Sequence, residues 1–368
     1  MKLMSVFGTR PEAIKMAPII QELKKHSEVE SIVCVTGQHD EMLQQVLDVF
    51  SIKPEYNLKI MEKNQTLFTI TQNILKNIER VLEDESPELV LVHGDTSTAF
   101  VTSLACFYLK IPVAHVEAGL RTYDIYSPYP EEFNRQAIGL ISKFNFCPTE
   151  RSKNNLLAEG KNSESVFVTG NTVIDAMKTT ISSTYRHPYL EWVGDDRLIL
   201  LTAHRRENFG QAFENIFNAA KDIVNMYNDV KIICPMHPNP AVRNIAKDIL
   251  GNESKVKLIE PLNVIDFHNF MARSYFIMSD SGGIQEEAPS LGKPVLVLRN
   301  TTERPEGIEA GTLKLIGNDR SRIVSEASLL LNNPAEYEKM SKAKNPYGDG
   351  FASERIINII LNLGDEQI

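Results

Sequence analysis

"SYFIMSDSGGIQEEAPSLGKPVLVLR" runs from residue 274 to residue 299. An apolar run ends at Asp280, Gly282 and Gly283 open what reads as a helix, and a second apolar run begins near Lys293. Runs this short and this continuously apolar predict strands covered on both faces. Strand, helix and strand in that order predict a parallel α/β unit, in which ligands bind beyond the carboxyl ends of the strands. Here that end combines groups of opposite taste. Glycines at a helix start let an anion approach the backbone N–H groups. Glu287, a turn further in, would repel one. A ligand with phosphates and a ribose diol reconciles the two, since a carboxylate accepts paired hydrogen bonds from a diol. A glycine-permitted turn with glutamates complementing the helix dipole explains the same residues without a ligand.

The pattern extends in both directions. Residues 3–8, 31–37, 88–94, 111–117, 143–148 and 165–170 read as strands, separated by segments such as 11–25 and 67–84 with apolar residues at three- and four-residue steps. It restarts with strands at 196–203, 230–236, 255–260, 274–280 and 293–299. The polar stretch 179–196 reads as a linker. The expected fold is α/β: two Rossmann-like doubly wound domains, 1–180 and 181–368, with an amphipathic last segment (353–363) able to pack on either.

Composition removes other classes. The 368 residues carry a net charge of −9, which argues against a dedicated nucleic-acid or membrane-surface protein. No apolar run approaches a membrane span, and the N-terminus lacks a signal-peptide core. Cys34, Cys106, Cys147 and Cys234 have no zinc or redox-motif spacing, so buried free thiols in a reducing cytoplasm are expected.

Chemistry is sought after each strand. "GTRPEAIK" sets Arg10 and Lys15 at a helix start, which suits an anion or an ordinary capped helix. It is not a dinucleotide fingerprint. Asp95 follows one strand, Glu117 the next, and "SPYPEEFNRQ" puts Glu131 and Glu132 in the first turn of a helix. Each carboxylate has a capping or dipole explanation. Three near one sheet edge can also converge on a cleft and perturb one another for acid–base work. "LLTAHRRENFG" ends a strand with His204, Arg205 and Arg206, an anion-handling group, and "CPMHPNP" ends another with His237. "HVE" lacks the P-C-x-x-C partner of a zinc deaminase, and no metalloprotease, hydrolase-elbow or P-loop run occurs.

Taken together, "FGTRPEAIKMAP", "HGDTSTAF", "HVEAGLRT", "SPYPEEFNRQ", "TAHRREN" and "DSGGIQEEAPSLGKPVLVLRNTTERPEG" resemble the bacterial non-hydrolysing UDP-N-acetylglucosamine 2-epimerases. The resemblance spans almost the whole chain in order. It implies a glycosyltransferase-B fold with the active site between the domains, and an isomerase interconverting UDP-GlcNAc and UDP-ManNAc for cell-surface polysaccharide. It implies elimination of UDP to a 2-acetamidoglucal and re-addition, without a nicotinamide, another cofactor or a metal. Carried over by position, Asp95, Glu117 and Glu131 are the acid–base carboxylates, and His204 assists at the diphosphate or leaving oxygen. Arg10, Lys15, Arg205, His237, Ser281, Gly282, Gly283 and Arg304 bind the substrate's phosphates or lie beside them. Glu287 takes the ribose and Phe267 lines the uracil pocket. Members are commonly dimers, so a homodimer is implied, with no nucleic-acid or membrane partner.

One region departs from the family. A second UDP-GlcNAc, an activator, meets a "QHRQML"-like segment and an arginine before "QTL" in many members. Here Gln38 and His39 remain, but Glu41 and Asn64 replace the pattern, which implies altered or absent activation. A hydrolysing relative that releases ManNAc and UDP is the alternative function. A retaining glycosyltransferase and a non-catalytic nucleotide-sugar sensor are further readings.

Overall fold

A computed structural model describes residues 1–37, 40–62, 65–205 and 208–363. The chain divides into two compact units, Met1–Thr179 with Tyr347–Ile368, and Thr180–Pro346.

The first unit is built on strands β1 (Lys2–Phe7), β2 (Glu30–Val35), β3 (Tyr56–Asn57), β4 (Leu89–His93), β5 (Val113–Val116), β6 (Phe144–Cys147) and β7 (Val166–Val168). They form a parallel sheet in the order β3-β2-β1-β4-β5-β6-β7. Alternate residues of β1 enter separate cores. Leu3 and Phe7 join Met16 and Ile20, whereas Met4 and Val6 join Ile74, Ile78 and Val101. Two buried faces are why the strand is apolar throughout rather than alternating. Strand order reverses between β1 and β4, so the loops after β1, β4 and β5 share one carboxyl edge beside the switch point.

The second unit repeats the plan with β8 (Arg197–Thr202), β9 (Val230–Pro235), β10 (Val256–Ile259), β11 (Phe276–Ser279), β12 (Val295–Val297) and β13 (Leu313–Leu315), ordered β10-β9-β8-β11-β12-β13. Its reversal lies between β8 and β11. Both units are thus Rossmann-like and doubly wound, the fold class expected from the sequence.

Three details differ from the sequence expectation. β3 and β13 were not read as strands; at two and three residues they carry no periodicity. The 179–196 stretch contains a helix, Pro188–Val193, capped by His187, whose Nδ1 accepts from the Tyr189 N–H at 3.2 Å. Its proline opens a helix, where the missing N–H costs nothing. The glycine-pair helix covers only Gly282–Glu287, and Ala288–Leu291 continues as a 3-10 turn with Pro289 in it.

The last helix, Ala352–Asn362, buries Ile356, Ile357 and Ile360 in the core holding Ile20, so the chain end completes the first unit. All four cysteines are free and buried. Burial pushes each thiol up to about 12. Among the described residues no helix is long and apolar enough to cross a membrane.

Candidate active site

In the first unit, the helix Arg10–Leu23 follows β1 directly. Thr9 caps it, and Glu12 closes the capping box. Buried Glu12 also accepts the Thr96 hydroxyl at 2.6 Å, which joins the loop after β1 to the loop after β4. Burial raises the Glu12 pKa, opposed by the bonds from Thr96, Thr9 and Gly8. Lys15, one turn into the helix, pairs with Glu117 after β5. Glu117 sits at φ +61°, the left-handed region that a glutamate rarely adopts. Its Oε2 also accepts the Asn171 amide at 2.9 Å and lies 3.8 Å from His93 Nε2. Burial holds His93 down at about 4, so this ring is neutral and the contact is not an ion pair.

Asp95, after β4, is paired with Arg135, at 2.7 Å from Nη2 and 2.9 Å from Nε. Arg135 reaches back from the helix Glu131–Ile141. Asn134 on the same helix donates to the Asp95 carbonyl at 2.8 Å. The first turn of that helix is therefore held against Asp95.

Its two glutamates separate cleanly. Glu132 is fully buried and accepts from Thr122 N–H, Tyr123 N–H, Arg135 and Gln136. Burial alone would raise its pKa, but these bonds hold it below the usual range. Glu132 is thus committed to structure. Glu131 Oε2 is buried with no hydrogen-bond partner. Three carboxylates in three different settings therefore stand along one sheet edge: Asp95 against Arg135, Glu117 against Lys15, and Glu131 with one buried oxygen unpartnered.

In the second unit, His204 and Arg205 follow β8 and Asp280 follows β11. Asp280 is wholly buried and accepts both backbone N–H groups, with the Asn208 amide at 3.0 Å. His204 Nδ1 lies 3.3 Å from Asp280 Oδ1. His237, after β9, stacks on His204 with ring centroids 5.7 Å apart. Burial pushes the His204 pKa down, aided by Arg205 and His237, and outweighs the opposing pull of Asp280.

The glycine-pair helix starts beside these groups. The Ser281 N–H donates to Ser279 Oγ at 2.9 Å, so Ser281 offers its hydroxyl rather than its N–H. A Cβ on Gly282 would stand 2.7 Å from Arg304 Nη1, so the guanidinium packs directly on the bare backbone. Arg304 bonds Glu286 at 2.7 Å and pairs with Glu303 at 2.9 Å. Burial would raise Glu303, but Arg304 and Arg299 bring it to about 2. Glu287 Oε2 lies 3.8 Å from Nε2 of buried His268 on the helix Val264–Arg273, where Phe267 is the half-buried neighbour.

The sequence-predicted residues therefore gather in two groups. Arg10, Lys15, Asp95, Glu117 and Glu131 stand on the first unit. His204, Arg205, His237, Phe267, Ser281, Gly282, Gly283, Glu287 and Arg304 stand on the second. Gln38, His39, Asn64 and Arg206 lie outside the described residues, as does the Glu41 side chain. Sequence reading missed Arg135, Asn171, His93 and the role of Asp280. Arg135 was legible only as part of a motif; the others have no local signal. Among the described residues no group of three His, Cys, Asp or Glu side chains could hold a metal ion.

The sequence model of the UDP-N-acetylglucosamine 2-epimerase family matches residues 21–361. The chain is 59% identical over 361 residues to the UDP-N-acetylglucosamine 2-epimerase of Bacillus subtilis, covering 98% of this chain and 95% of that protein. The crystal structure of Neisseria meningitidis UDP-GlcNAc 2-epimerase bound to UDP-GlcNAc is similar at a TM-score of 0.89 and 51% identity, covering 98% and 100% of the two chains. The Methanocaldococcus jannaschii UDP-GlcNAc 2-epimerase in complex with UDP-GlcNAc and UDP is similar at 0.81 and 36%, covering 98% and 99%. Motifs, fold and relatives agree: the chain belongs to the UDP-N-acetylglucosamine 2-epimerase family.

Proposed function

We propose that this protein is an isomerase that reversibly inverts C2 of UDP-GlcNAc to give UDP-ManNAc, and that it does so without net hydrolysis. The observation that carries this reading is the carboxylate set. Asp95 is paired with Arg135, Glu117 with Lys15, and Glu131 keeps a buried oxygen without a partner. Carboxylates in unlike environments can differ in proton affinity, as an acid and a base must.

The C2 hydrogen is not next to a carbonyl, so a bare carbanion would be too costly. Elimination avoids it. A carboxylate removes the C2 proton while the C1–O bond to UDP breaks, leaving a 2-acetamidoglucal. Protonation of C2 from the opposite face and return of the UDP oxygen to C1 give the epimer, with all atoms balanced. The departing UDP dianion needs donors already in position. Arg205, Arg304 and the backbone at Gly282 and Gly283 fit that need, and neutral His204 fits a proton-handling role at the leaving oxygen. Glu287 fits a ribose diol. The product would serve as a ManNAc donor for surface glycans.

A homodimer is part of the same proposal. The neighbouring helices Leu67–Glu85, Ser97–Leu109 and Glu131–Ile141 carry Phe68, Phe107 and Leu140, exposed by 88%, 61% and 82%. Apolar groups of that size on adjacent helices suit a subunit interface.

The test is incubation with UDP-GlcNAc in D2O, followed by proton NMR. UDP-ManNAc carrying deuterium at C2 is the expected product. Free ManNAc with UDP would replace this reading with the hydrolysing one, and an unchanged substrate would overturn both.

A further inference from the structure

The carboxylate of Glu117 is held by a residue that no motif points to. Asn171 follows β7 and opens the helix Thr172–Thr180. Its side chain works in two directions. Oδ1 accepts the Val173 N–H at 3.1 Å, an ordinary helix cap. Nδ2 donates to Glu117 Oε2 at 2.9 Å. Its backbone is fixed by a third contact, the Asn171 N–H to the Tyr347 carbonyl at 2.7 Å.

Tyr347 is where the chain re-enters the first unit after completing the second. That returning segment is locked to the Asn171 loop along its length. Gly170 and Gly348 meet backbone to backbone, and a Cβ built on Gly348 would lie 3.2 Å from the Gly170 Cα. Both glycines have positive φ, +95° and +124°, so neither position accepts a side chain without strain. Tyr347 is buried. Lys178 bonds the Gly350 carbonyl and lies over the Phe351 ring at 3.5 Å. Asp175 accepts the N–H groups of Ala352 and Ser353, at 3.2 and 2.8 Å, and caps the last helix.

Two hydrogen bonds therefore connect the returning segment to the carboxylate. We propose that Asn171 is a positioning residue, which holds the side chain of Glu117, a residue with a left-handed backbone, in its working rotamer and ties it to segment 347–351. The inference rests on the reading of Glu117 as an acid–base group. Lys15 alone would not fix the rotamer, because an ammonium is a point charge that attracts from many directions. The amide adds a direction. His93 on β4 and His115 on β5 also stand near Glu117, and burial keeps both neutral by holding them down at about 4 and about 3.

Asn171→Asp separates the two functions of the side chain. It keeps the capping oxygen, and aspartate caps helices as well as asparagine does. It replaces the amide donor with a second carboxylate beside Oε2. Two carboxylates at that distance resist joint ionisation, so the Glu117 titration should move up by about one pH unit or more. Protein labelled with carbon-13 at glutamate carboxyls allows this to be read directly, with Glu117 identified by the signal lost in Glu117→Gln. An upward move in Asn171→Asp is the expected result, with a melting temperature that falls near neutral pH and recovers where Glu117 is protonated. A Glu117 titration that coincides with the wild type overturns the proposal.

Turnover supplies the second readout. The acidic limb of the pH–rate profile should shift to higher pH in Asn171→Asp. Asn171→Ser keeps a capping hydroxyl but lacks the reach to Glu117; its kcat should fall roughly 10- to 100-fold with KM little changed. Equal loss in KM and kcat, or a wild-type profile, would make Asn171 merely structural. If the wild-type protein showed no deuterium exchange at C2, the proposed function would fail, while the carboxyl titration would still decide whether Asn171 positions Glu117.

Discussion

Both carboxylate oxygens of Asp280 accept the backbone N–H of His204, at 2.8 and 3.1 Å, from a side chain with no exposure to solvent. The loop after β8 is thus fastened to the end of β11 by one residue. Asp280→Ala would leave the N–H groups of His204 and Arg205 without their acceptor, while the Asn208 amide would keep the Leu298 carbonyl at 3.2 Å. The second unit should lose about 1–3 kcal/mol for each donor left dry. Differential scanning calorimetry reads the stability, and His204-dependent turnover should fall with it.

The three carboxylates make a sharper prediction. Asp95→Asn, Glu117→Gln and Glu131→Gln should each cut exchange at C2 by about 10²- to 10⁴-fold, the range for a lost general acid or base. UDP affinity, measured by calorimetric titration, should stay near the wild-type value. Glu132→Gln should behave differently: it removes charge from a fully buried carboxylate that accepts four donors, so its main loss is in melting temperature.

The proposed function gives Glu287 the ribose diol. Wild-type protein should bind UDP more tightly than 2′-deoxy-UDP by roughly 10- to 100-fold, the worth of a hydrogen bond to a charged group. Glu287→Ala should bind the two alike. Persistence of the preference in the variant would move the ribose contact elsewhere.

Stability should depend on pH through His93 and His115. Burial lowers them from an ordinary 6.5 to about 4 and about 3, so the folded protein keeps both neutral. The unfolded chain takes up these protons as pH falls through 6.5 and the folded chain does not. The stabilisation is therefore complete above 6.5 and is lost as pH falls towards 4 and then 3. Urea unfolding of the first unit between pH 7 and 5 should show the slope, and His93→Asn should reduce it by one proton.

Glu41 and Asn64 stand where many family members are expected to carry groups that hold a second UDP-GlcNAc. A carboxylate in place of a neutral side chain and an amide in place of a cation should weaken a bound diphosphate. UDP-ManNAc should therefore turn over without added UDP-GlcNAc. A strict requirement for UDP-GlcNAc in that direction would show that activation survives these replacements.

What the sequence determined by itself is local. The continuous apolar runs at 88–94 and 274–280 could only be strands buried on both faces, and each is followed by its helix start within a few residues. Strand, turn and cap are neighbours in sequence, so Asp95, Glu117, His204 and the glycine pair could be found at strand ends without coordinates. Only the tertiary structure decided the rest. The helix Ala352–Asn362 is amphipathic, and its apolar stripe says that it needs a core but not which one; packing on Ile20 gave it to the first unit. Glu131 and Glu132 are indistinguishable as adjacent acids at a helix start. They differ because one accepts four donors from residues folded around it and the other keeps a buried oxygen unpaired. Asn171 reaches Glu117 across 54 residues. Hydrogen-bond partners so far apart leave no periodicity in the sequence, because the chain's return path, rather than its local conformation, brings them together.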